Sequence, residues 1–124
     1  MEKWTIQKSA ELYGFPHWGK EYFSISPEGN VLVHPEGEHG PKIDLEKITE
    51  AAIDRDIGLP VLFRFNGILR HRIKQISEAF YQAIRSENYK GHYIPIFPIK
   101  VNQQRHVVEV LADTGKEFNM GLEV

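Results

Sequence analysis

Lys100 stands near the end of IPIFPIKVNQQRHVVEV (residues 94–110), where an apolar run through Ile94, Ile96, Phe97 and Ile99 gives way to a polar turn and a helix-forming segment. Most lysines at strand ends reach solvent, their stems lying along apolar neighbours. The position also admits a chemical use. In βα-barrels and open α/β sheets, active sites are built at the carboxyl ends of parallel strands. An amine walled there by Phe97, Ile99 and Val101 would have its charged form disfavoured by desolvation. Its pKa would fall, and the neutral amine would become a nucleophile. Such an amine suits a Schiff base with an aldehyde, pyridoxal phosphate above all.

Other residues offer less. Asn102 falls on the same side of the strand as Lys100 by the period-two rule. It is either a hydrogen-bonding partner that orients the site or a turn and N-cap residue for the helix beginning near Gln103. The six histidines (His17, His34, His39, His71, His92, His106) form no i, i+4 pair on a predicted helix and no HExxH motif, so their spacing points to no metal site. RHRIK (70–74) reads as the solvated side of a helix, with a subunit contact as its other use. Tyr13, Phe15, Trp18, Tyr22 and Phe23 read as hairpin core. Gly67 and Gly115 are isolated, without GxGxxG or P-loop company. With no cysteine there is no disulfide, zinc-thiolate site or thiol nucleophile.

The elements that must position Lys100 follow from pattern. SAELYGFPHWGKEYFSISPEGNVLVHP (9–35) reads as β structure after a short lead. Its Tyr22–Ser26 and Val31–Val33 runs flank the turn residues SPEGN. HPEGEHGPK (34–42) is a connector. A helix is expected from the N-cap Asp44 with Leu45, Ile48 and Ala52 on one face, stopped by Gly58 and Pro60. LPVLFRF (59–65) is a short strand-forming run. Asn66 then caps a long helix with Leu69, Ile73, Ile76, Phe80, Ala83 and Ile84 at three- and four-residue steps. NYKGH breaks it. After the Lys100 strand come a helix ended by Gly115 and a last strand in FNMGLEV. From Leu59 onward the order strand, helix, strand, helix, strand predicts βαβ units and a parallel sheet. The class is therefore α/β, with an N-terminal β segment at 1–42 and a second part at 43–124. So few parallel strands leave faces and edges uncovered, which makes the chain read as the front of something larger.

Composition narrows the classes. The 124 residues suit one domain, and 41% hydrophobic with 26% charged residues argue against disorder. Fifteen basic and seventeen acidic residues are interspersed for a net charge of −2, which gives no footprint for nucleic acid or an anionic membrane surface. No run approaches a transmembrane length, and the first residues lead into no signal-peptide core. The expectation is a cytoplasmic protein.

FPIKVNQQRHVVE resembles the cofactor-lysine strand of the biosynthetic arginine decarboxylases, pyridoxal-phosphate enzymes with an alanine-racemase-like barrel. In that family the stretch is usually Tyr-Pro-Ile-Lys-Val-Asn-Gln, and Phe97 here replaces the Tyr. ELYGFPHWGKEYFSISPEGNVLVHP, IDLEKI and GLPVLFRFNGILRHRI resemble the family's N-terminal segments in the same order, and MGLEV resembles the start of its next barrel strand. The resemblance implies that the chain is the N-terminal part of such an enzyme: a β-hairpin segment followed by the first βα units of an incomplete (β/α)8 barrel. It implies that Lys100 carries pyridoxal 5'-phosphate as the internal aldimine in the conversion of arginine to agmatine, within polyamine and spermidine biosynthesis. It also implies that Glu123 is the acidic residue facing the cofactor, although a solvated terminal carboxylate is the competing reading. Magnesium and a homo-oligomeric full-length enzyme are implied as well, with the groups for the cofactor phosphate, the pyridine nitrogen and the guanidinium lying elsewhere. A chain of this extent is expected to be inactive alone, with the Lys100 amine left in water because the barrel that would desolvate it is incomplete. Two rivals stand beside this reading: a non-catalytic interaction or regulatory module derived from the family, and a decarboxylase of another amino acid, basic or dicarboxylic.

Overall fold

The computed structural model describes residues 3–124. The chain divides into two compact units, one reaching to Arg64 and one spanning Phe65–Val124.

The first unit opens with two short helices, α1 (Ile6–Leu12) and α2 (Phe15–Trp18), where the sequence reads as β structure. Single residues set the helix ends. Thr5 caps α1 by accepting from the Lys8 amide at 3.2 Å, Gly14 takes the left-handed conformation (φ 66°), and Pro16 occupies the first turn of α2. The aromatics behave unevenly. Tyr22 is buried, whereas Tyr13 and Trp18 are exposed; Trp18 sits 4.7 Å from Phe15 and 5.1 Å from Phe23, ring centre to ring centre. Its indole donates to the Tyr13 carbonyl at 2.7 Å.

The expected hairpin is present. β1 (Phe23–Ile25) pairs antiparallel with β2 (Val31–Val33), Phe23 opposite Val33. Ser26 closes the turn: its hydroxyl accepts from the Glu28 and Asn30 amides at 3.2 Å each, while Gly29 supplies a φ of 102°. A third strand, β3 (Ile43–Asp44), joins β2 antiparallel and was not foreseen, being two residues long in a Pro/Gly-rich stretch. Asp44 fastens three elements. Oδ2 accepts from Asn30 Nδ2 at 3.0 Å, and Oδ1 accepts from the Glu46 amide at 2.9 Å and the Lys47 amide at 3.4 Å, capping α3 (Leu45–Ile53) as predicted. The bond from Asn30, aided by the two backbone donors and the Lys47 charge, holds its carboxyl below the usual value. The helix ends at Ile53, ahead of Gly58, with Asp56 in the left-handed region. α3 lies against β2 and β3, so it belongs with the hairpin and not with the part drawn from residue 43.

Residues 59–65 form no strand, contrary to expectation. Strand-forming residues are not enough; a strand exists only where a neighbour completes its ladder, and among the described residues none does.

In the second unit α4 (Asn66–Ser86) is the long amphipathic helix. Its N-cap is Phe65, which leaves Asn66 as the first helical residue rather than the cap. β4 (Ile96–Pro98), α5 (Arg105–Gly115) and β5 (Gly121–Glu123) form one βαβ unit with parallel strands, Ile96 opposite Gly121 and Pro98 opposite Glu123. Buried Ile73, Val107, Leu111 and Phe118 form the core, flanked by Leu69, Tyr81, Phe97 and Met120. Of the predicted face of α4, Ile76 (46%) and Phe80 (49%) stay half exposed, Phe80 stacking on Tyr93 at 4.0 Å. At the end of α5 the chain folds tightly back. The Met120 amide donates to the Gly115 carbonyl at 2.9 Å, and a Cβ on Gly115 would meet that of Met120 at 2.6 Å.

The two sheets are separate, β1-β2-β3 and β4-β5, so the hairpin does not pair with the Lys100 strand, as expected. Among the described residues no helix is long and apolar enough to cross a membrane.

Candidate functional site

β4 is shorter than the apolar run that predicts it. Ile94 and Pro95 precede it, and the chain turns into one turn of 3₁₀ helix at Ile99–Val101, closed by the Asn102 amide donating to the Ile99 carbonyl at 3.0 Å. Lys100 is therefore on the turn that leaves the strand rather than in the strand. The turn does not move it from the end of interest, because β4 runs toward it and β5 runs parallel toward Glu123.

The register brings the two together. Pro98 lies opposite Glu123, Lys100 follows two residues later, and its Nζ donates to Glu123 Oε1 at 3.2 Å. The desolvation that a completed barrel would give the amine is not found, in keeping with the expectation that this chain leaves Lys100 in water. The Lys100 side chain is 75% exposed and that of Glu123 54%, so this is a solvent-screened pair of the kind that contributes about 0–1 kcal/mol. The apolar wall is absent for a local reason: Phe97 packs into the core beside α4 and α5, and Val101 is 69% exposed.

Asn102 takes the turn role. Its Oδ1 accepts from the Gln104 amide at 3.1 Å, an Asx turn that leads the chain into α5 at Arg105. The site thus joins Lys100 to Glu123, with Asn102 shaping the backbone between Lys100 and the following helix. An apolar recess of about 240 Å³ lies elsewhere in the unit, lined by Ile73, Ser77, Tyr93, Ile96, Phe97 and Met120 among others; Lys100 and Glu123 are not part of its wall.

Pattern reasoning passed over one pair in the first unit. His34 is buried, and its Nε2 lies 2.7 Å from Ser24 Oγ. The available signal was the residue's place directly after the apolar run Val31–Val33, at the end of an inward-facing strand.

No family model matches the chain. Among curated proteins it is 48% identical over 124 residues to the biosynthetic arginine decarboxylase of Citrifermentans bemidjiense (strain ATCC BAA-1014), covering all of this chain and 20% of that protein. It is 46% identical over 122 residues to the protein of the same name from Synechococcus sp. (strain RCC307), covering 98% of this chain and 19% of the relative. Among solved structures, the crystal structure of the biosynthetic arginine decarboxylase SpeA from Campylobacter jejuni matches with a TM-score of 0.79 and 32% identity, covering 89% of this chain and 18% of that one. The chain spans about a fifth of the length of the curated relatives it matches. The resemblance carried by FPIKVNQ and the segments before it is thus borne out from end to end, and this chain is similar along its whole length to part of the biosynthetic arginine decarboxylases.

Proposed function

We propose that this chain is the lysine-bearing part of a pyridoxal-phosphate-dependent decarboxylase that converts arginine to agmatine for polyamine synthesis, with the β4–α5–β5 unit at the start of its barrel. The observation that carries the reading is the placement of Lys100: a primary amine, open to solvent, on the turn leaving a parallel strand and 3.2 Å from a carboxylate on the neighbouring strand. These residues fit the cofactor in one respect. Lys100 supplies an accessible amine for an aldehyde, and Glu123 supplies an acceptor that holds the ammonium in place. When bound, pyridoxal phosphate supplies an electron-withdrawing ring that stabilises the carbanion left as carbon dioxide departs. Asn102 serves at one remove, by fixing the turn between Lys100 and α5. A magnesium requirement draws on no donor set here: among the described residues no three His, Asp or Glu side chains gather as a metal site. Assembly as a homo-oligomer belongs to the same proposal and rests on the resemblance.

The test is chemical trapping. The protein is purified as its host expresses it, treated with pyridoxal phosphate, reduced with borohydride and digested. The reduced pyridoxyl group is expected on Lys100 by mass spectrometry, and Lys100→Arg, which keeps the charge but removes the nucleophile, should abolish that adduct. Label on another lysine, or label spread evenly over the surface lysines, would defeat the assignment and leave a non-catalytic module as the better reading.

A further inference from the structure

His34 leaves β2 with its backbone amide donating to the Tyr22 carbonyl at 2.9 Å and its ring nitrogen Nε2 2.7 Å from Ser24 Oγ. Main chain and side chain together tie the end of β2 to β1, over the part of the unit where Tyr22 and Val33 are buried. The ring is 5% exposed, and its other nitrogen, Nδ1, is buried with no hydrogen-bond partner. A bare lone pair tolerates that better than an orphaned N–H does. The favoured neutral form therefore carries its hydrogen on Nε2, donating to Ser24, and leaves Nδ1 as the unfilled acceptor. A second proton would create a buried N–H without an acceptor and a charge in an enclosed place.

We infer that Ser24 and His34 form a latch on the hairpin sheet that stays seated while the imidazole is neutral. A proton on Nδ1 leaves the Nε2–H···Oγ bond itself intact but favours states in which the ring leaves its buried seat and the new N–H and charge reach water. The charged groups around it do not rescue the cation. The recess of about 330 Å³ beside the ring is lined by Lys20 and Glu21 from the segment before β1, and by Glu38, His39 and Lys42 from the connector after β2. Burial is the largest influence on the ring and Lys42 the next, both against the charged form; Glu38 favours it and is outweighed, so the ring's pKa lies below 6.5. The sign follows from linkage. The unfolded chain takes up this proton first, so the latch's contribution is complete above 6.5 and is lost as pH falls from there through the folded value.

Two measurements on the 124-residue chain decide it. Proton–nitrogen correlation spectra follow the six imidazoles from about pH 8 to about pH 5. The His34 ring should titrate below 6.5, with its hydrogen on Nε2 in the neutral state. A ring that titrates at or above that value, or carries its hydrogen on Nδ1, overturns the proposal, and this readout needs no variant. Urea unfolding supplies the second arm. The wild-type midpoint should fall across the same range, and His34→Gln, which keeps a donor toward Ser24 but takes up no proton, should lose less. An equal loss in the variant would show that the drop has another source.

Discussion

In the hairpin unit, polar side chains do much of the fastening. Ser26 closes the β1–β2 turn, Asp44 joins Asn30 to the start of α3, and His34 binds Ser24 from within the fold. In the second unit the buried hydrophobic side chains are Ile73, Val107, Val110, Leu111 and Phe118, with Ser77 a buried polar one. The first arrangement fixes register over short stretches of chain. The second gathers residues far apart in sequence into one apolar cluster, which is the greater source of stabilisation per side chain. The candidate site depends on the second kind. Phe97 precedes Lys100 and Met120 precedes Glu123, and both pack against the same cluster. An exposed pair of charges is thereby held at a fixed register by side chains that never touch it.

If that contrast is sound, removing an apolar ring from the cluster should cost more than any polar deletion in the hairpin unit. Phe118→Ala is expected to destabilise by about 3–5 kcal/mol, read from urea unfolding followed by helical circular dichroism; a change below about 1 kcal/mol would mean the cluster is not what holds this unit. Asp44→Ala comes next. Its carboxyl is held below the ordinary value of 3.8, so its contribution is present at neutral pH and fades as pH falls through the folded value. The variant should melt several degrees below wild type at neutral pH, and the two melting curves should converge on the acid side of 3.8; a gap independent of pH would assign the loss to something other than the carboxylate. The smallest effect belongs to Glu123→Gln. It should shift stability by less than about 1 kcal/mol, because the pair with Lys100 is exposed on both sides. A larger loss would show that the pair is structural and would blur the difference between the units.

What the sequence reveals tracks how local the determining physics is. The β1–β2 hairpin, the Asp44 cap and the existence of α4 depend on neighbours a few positions away, and all three read correctly. The stripe of α4 does so in part, since Ile73 is buried while Ile76, Phe80 and Ala83 stay exposed. The run at 59–65 has the composition of a strand and no ladder, because pairing is a property of two segments and composition describes one. α1 and α2 do not show in the sequence because helices of seven and four residues are too short to display a helical period. For the site, the identity of Lys100 and its place at a carboxyl strand end were legible. Its exposure was legible too, from strands too few to enclose the amine. The direction of Phe97 was not, since whether it shields the amine or turns to the core is decided by α4 and α5. The contact with Glu123 needed the β4–β5 register, which no single segment encodes.

Trp18, set between Phe15 and Phe23 with its indole N–H on the Tyr13 carbonyl, makes the hairpin unit visible by light. Both tryptophans of the chain, Trp4 and Trp18, fall before Arg64, and the second unit carries tyrosines such as Tyr81 and Tyr93 but no indole. Emission excited at the red edge of protein absorption therefore arises in the first unit. The chain thus carries a reporter of the hairpin unit without any label.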